Sequence, residues 1–406
     1  MNIVTRTRSH RFPNPNDGYV DTTYYNVDEY YLDVAYQKLK RFVPNNYGYL
    51  QKLRKLYIDQ NLLLELPPAK QLPFLQDLSC ANNKISVIPF YPNMQILNIS
   101  SNNVTNLSKY ALSNLKYLDA SYNVGLNINF SLPKLTQLYI NDNQINDIKL
   151  QYFPILRLFD CSTNSITNIG NSETLVELNF QHNNVSQIGD MPNLTRMFAD
   201  NNDLKKINSY PRLLTLTISN NLLSSVPTLK RLTKLVANNN SICKIGHMNN
   251  LQIMDLSNNN LTKIHIPSHS EYVYLYQNSL VPFNINDNAL ASLREMHVDY
   301  KTYCQICDKY ETFFVAIDVQ ISNDELKIQL GRLKQIFDIQ ILGYMTKQFH
   351  QIKFNDRDND LINISKNIRK MISGSDNDDL QKNILRSLTK IYYKCLLIKI
   401  FFTKYY

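Results

Sequence analysis

Tryptophan is absent from this chain of 406 residues, and glycine occurs only nine times. None of those glycines forms the G-x-x-x-x-G-K loop that cradles nucleotide phosphates, nor a G-x-S-x-G elbow that would expose a nucleophilic serine. Long apolar runs are also missing. A membrane-spanning helix needs ~18 of them in a row, and the longest stretch here, Cys395 to Phe402, is interrupted by Lys399. The opening, MNIVTRTRSHRF, has no apolar core after its arginines, so it does not read as a secretory leader. Cysteine is sparse. Six are scattered along the chain without the paired spacing of a disulfide framework. Cys304 and Cys307 form a lone C-x-x-C, whereas a structural zinc takes four ligands and no second pair follows. These absences lead to the expectation of an intracellular, cytoplasmic protein with no membrane association, no cofactor, no metal and no catalytic residues.

What is present is ordinary in amount and unusual in order. Hydrophobic residues make up 44%, the level of a globular chain. The formal net charge is +9, thinly spread along the sequence. The informative stretch is Leu251 to Ile264, with the skeleton L-x-x-M-x-L-x-x-N-x-L-x-x-I and Asn259 at its polar position. The same position recurs as Asn61, Asn83, Asn102, Asn123, Asn143, Asn164, Asn183, Asn202, Asn221, Asn240, Asn259 and Asn278. Successive steps run from 19 to 22 residues, and the last six are all 19. A near-fixed period of this length is the mark of a solenoid.

The two apolar residues before each Asn are spaced by two, the period of a strand with one buried face. Each unit therefore gives one short strand, and strands that return by similar crossovers run parallel. The Asn falls where the chain leaves the strand and its backbone loses ladder partners. An amide that both donates and accepts can bridge adjacent units there, so these Asn read as a structural ladder. Only about ten residues then remain before the next strand, and prolines such as Pro89, Pro154 and Pro227 fall among them. Proline disfavours a helix interior, so the backs are expected to be extended or 3-10.

The pattern resembles the leucine-rich repeat family, whose L-x-x-L-x-L-x-x-N-x-L is met by Leu75, Leu78, Cys80, Asn83 and Ile85, and again by Leu135, Leu138, Ile140, Asn143 and Ile145. The Asn-, Ile- and Tyr-rich composition is similar to that of such proteins from AT-rich large DNA viruses or protists. The expected fold class is α/β: a leucine-rich-repeat solenoid with a parallel β-ladder on its concave face and helical caps. The expected organisation is a flexible polar arm over 1–20, a helical cap over 21–50, an array of 12 to 13 repeats over 51–302, and a mainly helical cap or small domain over 303–406. Two helices are expected in detail: one over 27–43, after Asn26 as N-cap, and one opening at Ser322. A further helix is expected over 380–402.

The resemblance implies a non-enzymatic protein-protein interaction module whose partner lies on the concave strand face. The side chains that would line that face can be read from the register. Between the two core positions come Tyr57, Asp119, Tyr139, Asp160, Phe198, Asp255 and Tyr274; just past the second core position come Asp59, Asp200 and Asp299. No Lys or Arg occupies either column, while a flanking column mixes Asp77, Glu177 and Glu295 with Lys55, Arg196 and Lys234. A basic chain thus presents an acidic, tyrosine-dotted face. That chemistry disfavours nucleic acid on the concave face and favours a protein partner with a basic or polar surface, anchored on aromatics. The pattern sets no oligomeric state. The alternative is a recruiter, in which the repeats choose a target and residues 303–406 carry an activity or dock an effector.

Overall fold

The structure is a computed structural model. It describes residues 19–20, 30–44, 47–107, 112–280, 289, 292–299 and 316–320. Fifteen strands form one sheet in sequence order, from Tyr31–Asp33 to Ala316–Gln320, and every neighbouring pair is parallel. Most strands are three residues long, because each unit supplies one inward residue between two outward ones. Lys55–Tyr57 is typical: Leu56 is buried, Tyr57 half-buried and Lys55 exposed. The register aligns Leu56 with Leu78, Leu97, Leu118 and Leu138, so the inward residues form a single apolar row. The second core position forms a parallel row, in which Cys80 and Cys161 are fully buried small hydrophobes. One continuous core runs the length of the array.

The backs are short and extended, as the prolines predict. They include one-turn 3-10 helices at Ala69–Gln71 and Leu150–Tyr152. Two pairs of two-residue strands also occur, Asn168–Ile169 with Gln187–Ile188 and Ser225–Val226 with Lys244–Ile245.

The helix expected over residues 27–43 is not found. Tyr31–Asp33 is instead the first strand of the sheet, paired in register with Lys55–Tyr57. The spacing supplies the reason. Leu32, Val34 and Leu39 meet the repeat spacing L-x-L-x-x-N-x-L, with Gln37 where the Asn would stand. Asn61 closes this unit, accepting from the backbone N–H of Gln37 and Leu39 and donating to the carbonyl of Val34. The only α-helix in the described part of 21–50 is the single turn Tyr47–Leu50. Tyr19–Val20 pairs parallel with Val43–Pro44. At the other end the sheet runs past residue 302, because Ala316–Gln320 pairs with Glu295–Asp299 inside the segment expected to be mainly helical. The helices expected from Ser322 and over 380–402, and the pair Cys304 and Cys307, lie outside the described residues.

Candidate functional site

The corner after each strand sets the geometry of the whole face. The residue before every ladder Asn has a positive φ, from Gln60 at 53° through Thr163 at 52° to Gln277 at 56°. This left-handed turn is costly for side chains other than Gly and Asn. With so few glycines, the chain fills it with Asn82, Asn201, Asn220, Asn239 and Asn258 in five of twelve units, and with other polar residues or Tyr in the rest. Tyr36, at φ 60°, makes the same turn in the divergent first unit.

The ladder Asn then ties the corners together. Asn202 donates to the carbonyls of Phe180 in the unit before (3.0 Å) and Ala199 in its own (3.2 Å), and its oxygen accepts from Val185 N–H (2.9 Å). Phe180 O also accepts from Asn183, and Ala199 O from Asn221. Each of these carbonyls thereby uses both lone pairs, one for the Asn of its own unit and one for the Asn of the next. The pattern repeats from Asn61 to Asn278 with one variation. Asn143 accepts from Asn123 N–H, in the unit where Gly125 (φ 84°) makes an additional turn. Asn61, Asn83, Asn102, Asn123, Asn143, Asn183, Asn202, Asn221 and Asn259 are buried, and Asn164, Asn240 and Asn278 half-buried. All twelve spend their amides on these backbone groups.

The outward residues form a continuous column. The register runs Tyr57, Ser79, Asn98, Asp119, Tyr139 and Asp160, then Asn179, Phe198, Thr217, Val236, Asp255, Tyr274 and His297. Asp33 and Tyr31 extend the face by one unit, a pair hidden by the helical reading of that segment. Asp299 ends the strand Glu295–Asp299.

The acids on this face are held in place by their neighbours. Asp59 accepts from Ser79 Oγ at 2.6 Å and Ala81 N–H at 2.7 Å, both in the next unit. Asp200 accepts from Thr217 Oγ1 at 2.7 Å, from Ser219 N–H at 2.6 Å and from Gln181 Nε2. Asp160 and Asp255 each accept from a Ser two residues on, by both N–H and Oγ, and from an Asn in an adjacent unit. Asp119 accepts from Ser121 N–H. The i+2 bonds at Asp119, Asp160 and Asp255 are Asx turns at the strand exits, whereas those of Asp59 and Asp200 reach into adjacent units. They orient the carboxylates without neutralising them, since among the described residues the ion pairs are Arg196–Glu177 and Arg294–Glu271.

Burial sets the electrostatics. It pushes the Asp119 carboxyl up; hydrogen bonds from Ser121 oppose this, and the nearby Asp160 charge adds to it. Asp77 is likewise raised by burial, against the pull of the Tyr57 phenol and Lys55. Tyr57 donates to Asp77 at 2.9 Å and stacks edge-on against Tyr31 with centroids 5.2 Å apart. Burial and the neighbouring carboxylates push both phenols up to about 12. Tyr139 lies 5.6 Å from Tyr117, and burial followed by Glu177 raises its phenol. Tyr274 lies 4.6 Å from the His297 ring. The result is two aromatic pairs and a tyrosine–histidine pair set among fixed carboxylates. Among the described residues no group of three or more His, Cys, Asp or Glu could hold a metal ion. No helix among them is long and apolar enough to cross a membrane.

A parallel-strand solenoid with an Asn at every corner defines the class, and comparison with known proteins agrees. The leucine-rich repeat family model matches residues 250–272, the stretch around Asn259. Over 98% of its length the chain is 49% identical to a putative leucine-rich repeat protein of Acanthamoeba polyphaga mimivirus, covering 99% of that protein. The chain belongs to the leucine-rich repeat family. Among solved structures it is similar to the functional domain of InlJ from Listeria monocytogenes (TM-score 0.57, 19% identity, 70% of this chain and 72% of that one). It is also similar to the leucine-rich repeat domain of APL1B (TM-score 0.52, 20% identity, 73% of this chain and 89% of that one). At these identities the likeness shows the fold alone. Proteins of this family are generally non-enzymatic interaction scaffolds.

Proposed function

We propose that this protein is a non-enzymatic module that binds a partner protein with a basic or polar surface on its strand face. The observation that carries the reading is the row from Asp59 to Asp255. Its carboxylates have no Lys or Arg in either outward column and, among the described residues, no ion-pair partner, yet each is pinned by local hydrogen bonds. Acids held in place lose little freedom when a cation arrives, so complementary charge is not offset by ordering. Tyr57, Tyr139, Phe198 and Tyr274 supply half-buried aromatic surface between them, the residue type that most often anchors interfaces. Related folds are found in protein complexes, as the LRIM1/APL1C complex illustrates.

The test is site-specific photocrosslinking in native cells, with the probe at Phe198 on the strand face or at Val87 on the back. The expected result is a protein captured from Phe198 only. Its affinity should fall as salt rises, and about tenfold or more in the double variant Asp160→Lys/Asp200→Lys. A partner captured from Val87 alone, or an affinity indifferent to both salt and the double variant, would overturn the reading.

A further inference from the structure

The back of the array carries a charge pattern that net composition conceals. Between residues 204 and 270 there are eight Lys or Arg and a single acid, Asp255, which faces the other way on the strand face. Seven of those cations lie outside the strands of the main sheet and are exposed, among them Lys205, Lys206, Arg212, Lys230, Arg231 and Lys244. The preceding stretch, 61–203, has eleven acids against eight bases. The repeat turns sequence offset into position. Lys206, Lys244 and Lys263 each stand four residues after a ladder Asn, with Ser225 at the same offset between them, so they form one row along the back. Arg212 and Arg231 each stand ten residues after a ladder Asn and form a second row. Adjacent units are ~4.8 Å apart in the ladder. None of these cations has a carboxylate within ion-pair distance among the described residues. Like charges at such spacing repel, and among the described residues no ion pair offsets that cost.

We propose that this back surface binds the phosphate backbone of double-stranded nucleic acid without reading its sequence. A duplex carries one negative charge per ~1.7 Å of axis, dense enough for two rows of cations to meet several phosphates at once. The exposed residues between the cations include the hydrogen-bonding Ser209, Ser224, Ser241, Thr262, His247 and His265, which suit phosphate and sugar oxygens. No Phe or Tyr is exposed in this stretch to stack unpaired bases, which sets the surface apart from a single-strand platform. A bilayer surface would call for apolar side chains to insert. The exposed large apolar residues cluster elsewhere, at Leu62, Leu64, Phe74, Val87 and Phe90, leaving Leu222 alone here. The surface is separate from the strand face and stands whether or not that face binds a protein.

The experiment is fluorescence anisotropy of the full chain with labelled 20-base-pair DNA and RNA duplexes, from 50 to 200 mM salt. Expected affinities lie at about 10⁻⁶ to 10⁻⁴ M, weakening steeply with salt. The variant Lys206→Gln/Arg231→Gln/Lys244→Gln should weaken binding about tenfold or more at low salt and reduce the log–log salt slope by about 3. Asp160→Lys/Asp200→Lys should leave the slope unchanged. Should the triple variant melt early, Lys244→Gln alone is expected to lower the slope by about 1. Absence of duplex binding, a slope indifferent to these neutralisations, or retention by phosphatidylserine vesicles in place of duplexes would each overturn the proposal.

Discussion

The buried Asn ladder and the Asp row on the strand face both join consecutive units through short polar side chains, and they differ in what surrounds them. Inside the corner, an amide meets backbone carbonyls and N–H groups that are buried in most units. On the face, a carboxylate meets backbone N–H and hydroxyl groups with solvent beside it. The buried partners have no substitute if the side chain goes, whereas the exposed ones do. That is why the corner admits one residue type through twelve units, while the outward column alternates among Asp, Asn, Ser, Thr, Tyr, Phe and Val. Uniformity marks the scaffold, and variety marks the surface free to be shaped by a ligand.

The sharpest way to break this contrast is Asn202→Ala. It strands Val185 N–H and removes one donor each from Phe180 O and Ala199 O. A loss of about 3 kcal/mol or more is expected from the chemical denaturation midpoint. Asp200→Ala removes three acceptor contacts on the face, yet water can reach the stranded donors, so about 1 kcal/mol is expected by the same measurement. Equal costs at the two sites would erase the distinction. Thr163→Asn probes the turn between them. A β-branched residue at φ 52° is strained, and Asn tolerates that region, so a gain of about 0.5 to 1 kcal/mol in thermal melting is expected.

The smallest expected effect is Asp119→Asn. Its folded-state pKa lies above the ordinary value, so its contribution to stability is fully present at low pH and is lost as pH rises through the folded value. At pH 7 the neutral amide should therefore stabilise the fold by up to about 0.5 kcal/mol, with the gain vanishing towards pH 3. Melting curves at the two pH values check this. A variant less stable at pH 7 than at pH 3, relative to the parent, would show that the Ser121 hydrogen bonds outweigh burial.

Much of this was legible in the residues. Each position indexed by the period could be placed: the inward Leu56 and Leu78, the buried Cys80 and Cys161, the corner Asn and the outward Tyr139 and Asp160. Reading failed where the index failed. Gln37 replaces the corner Asn and lies 24 residues before Asn61, and the apolar residues of 27–43 also fit a helical period. Asn61 settles the matter, because its amide needs partners and Val34, Gln37 and Leu39 supply them only if that segment forms a unit. The strand at Ala316–Gln320 is not announced by the pattern for a related reason, since Lys301 stands in the sequence where the repeat calls for Asn.

By itself, then, the sequence determined the period, the parallel ladder and which side chains face inward, because a repeat converts spacing directly into address. Tertiary structure alone decided what those addresses hold against one another. It tied each strand-face carboxylate to a particular hydroxyl, amide or N–H, and it turned lysines and arginines scattered over some sixty residues into rows on one back. Both depend on the stacking of units, which places residues about nineteen positions apart next to each other.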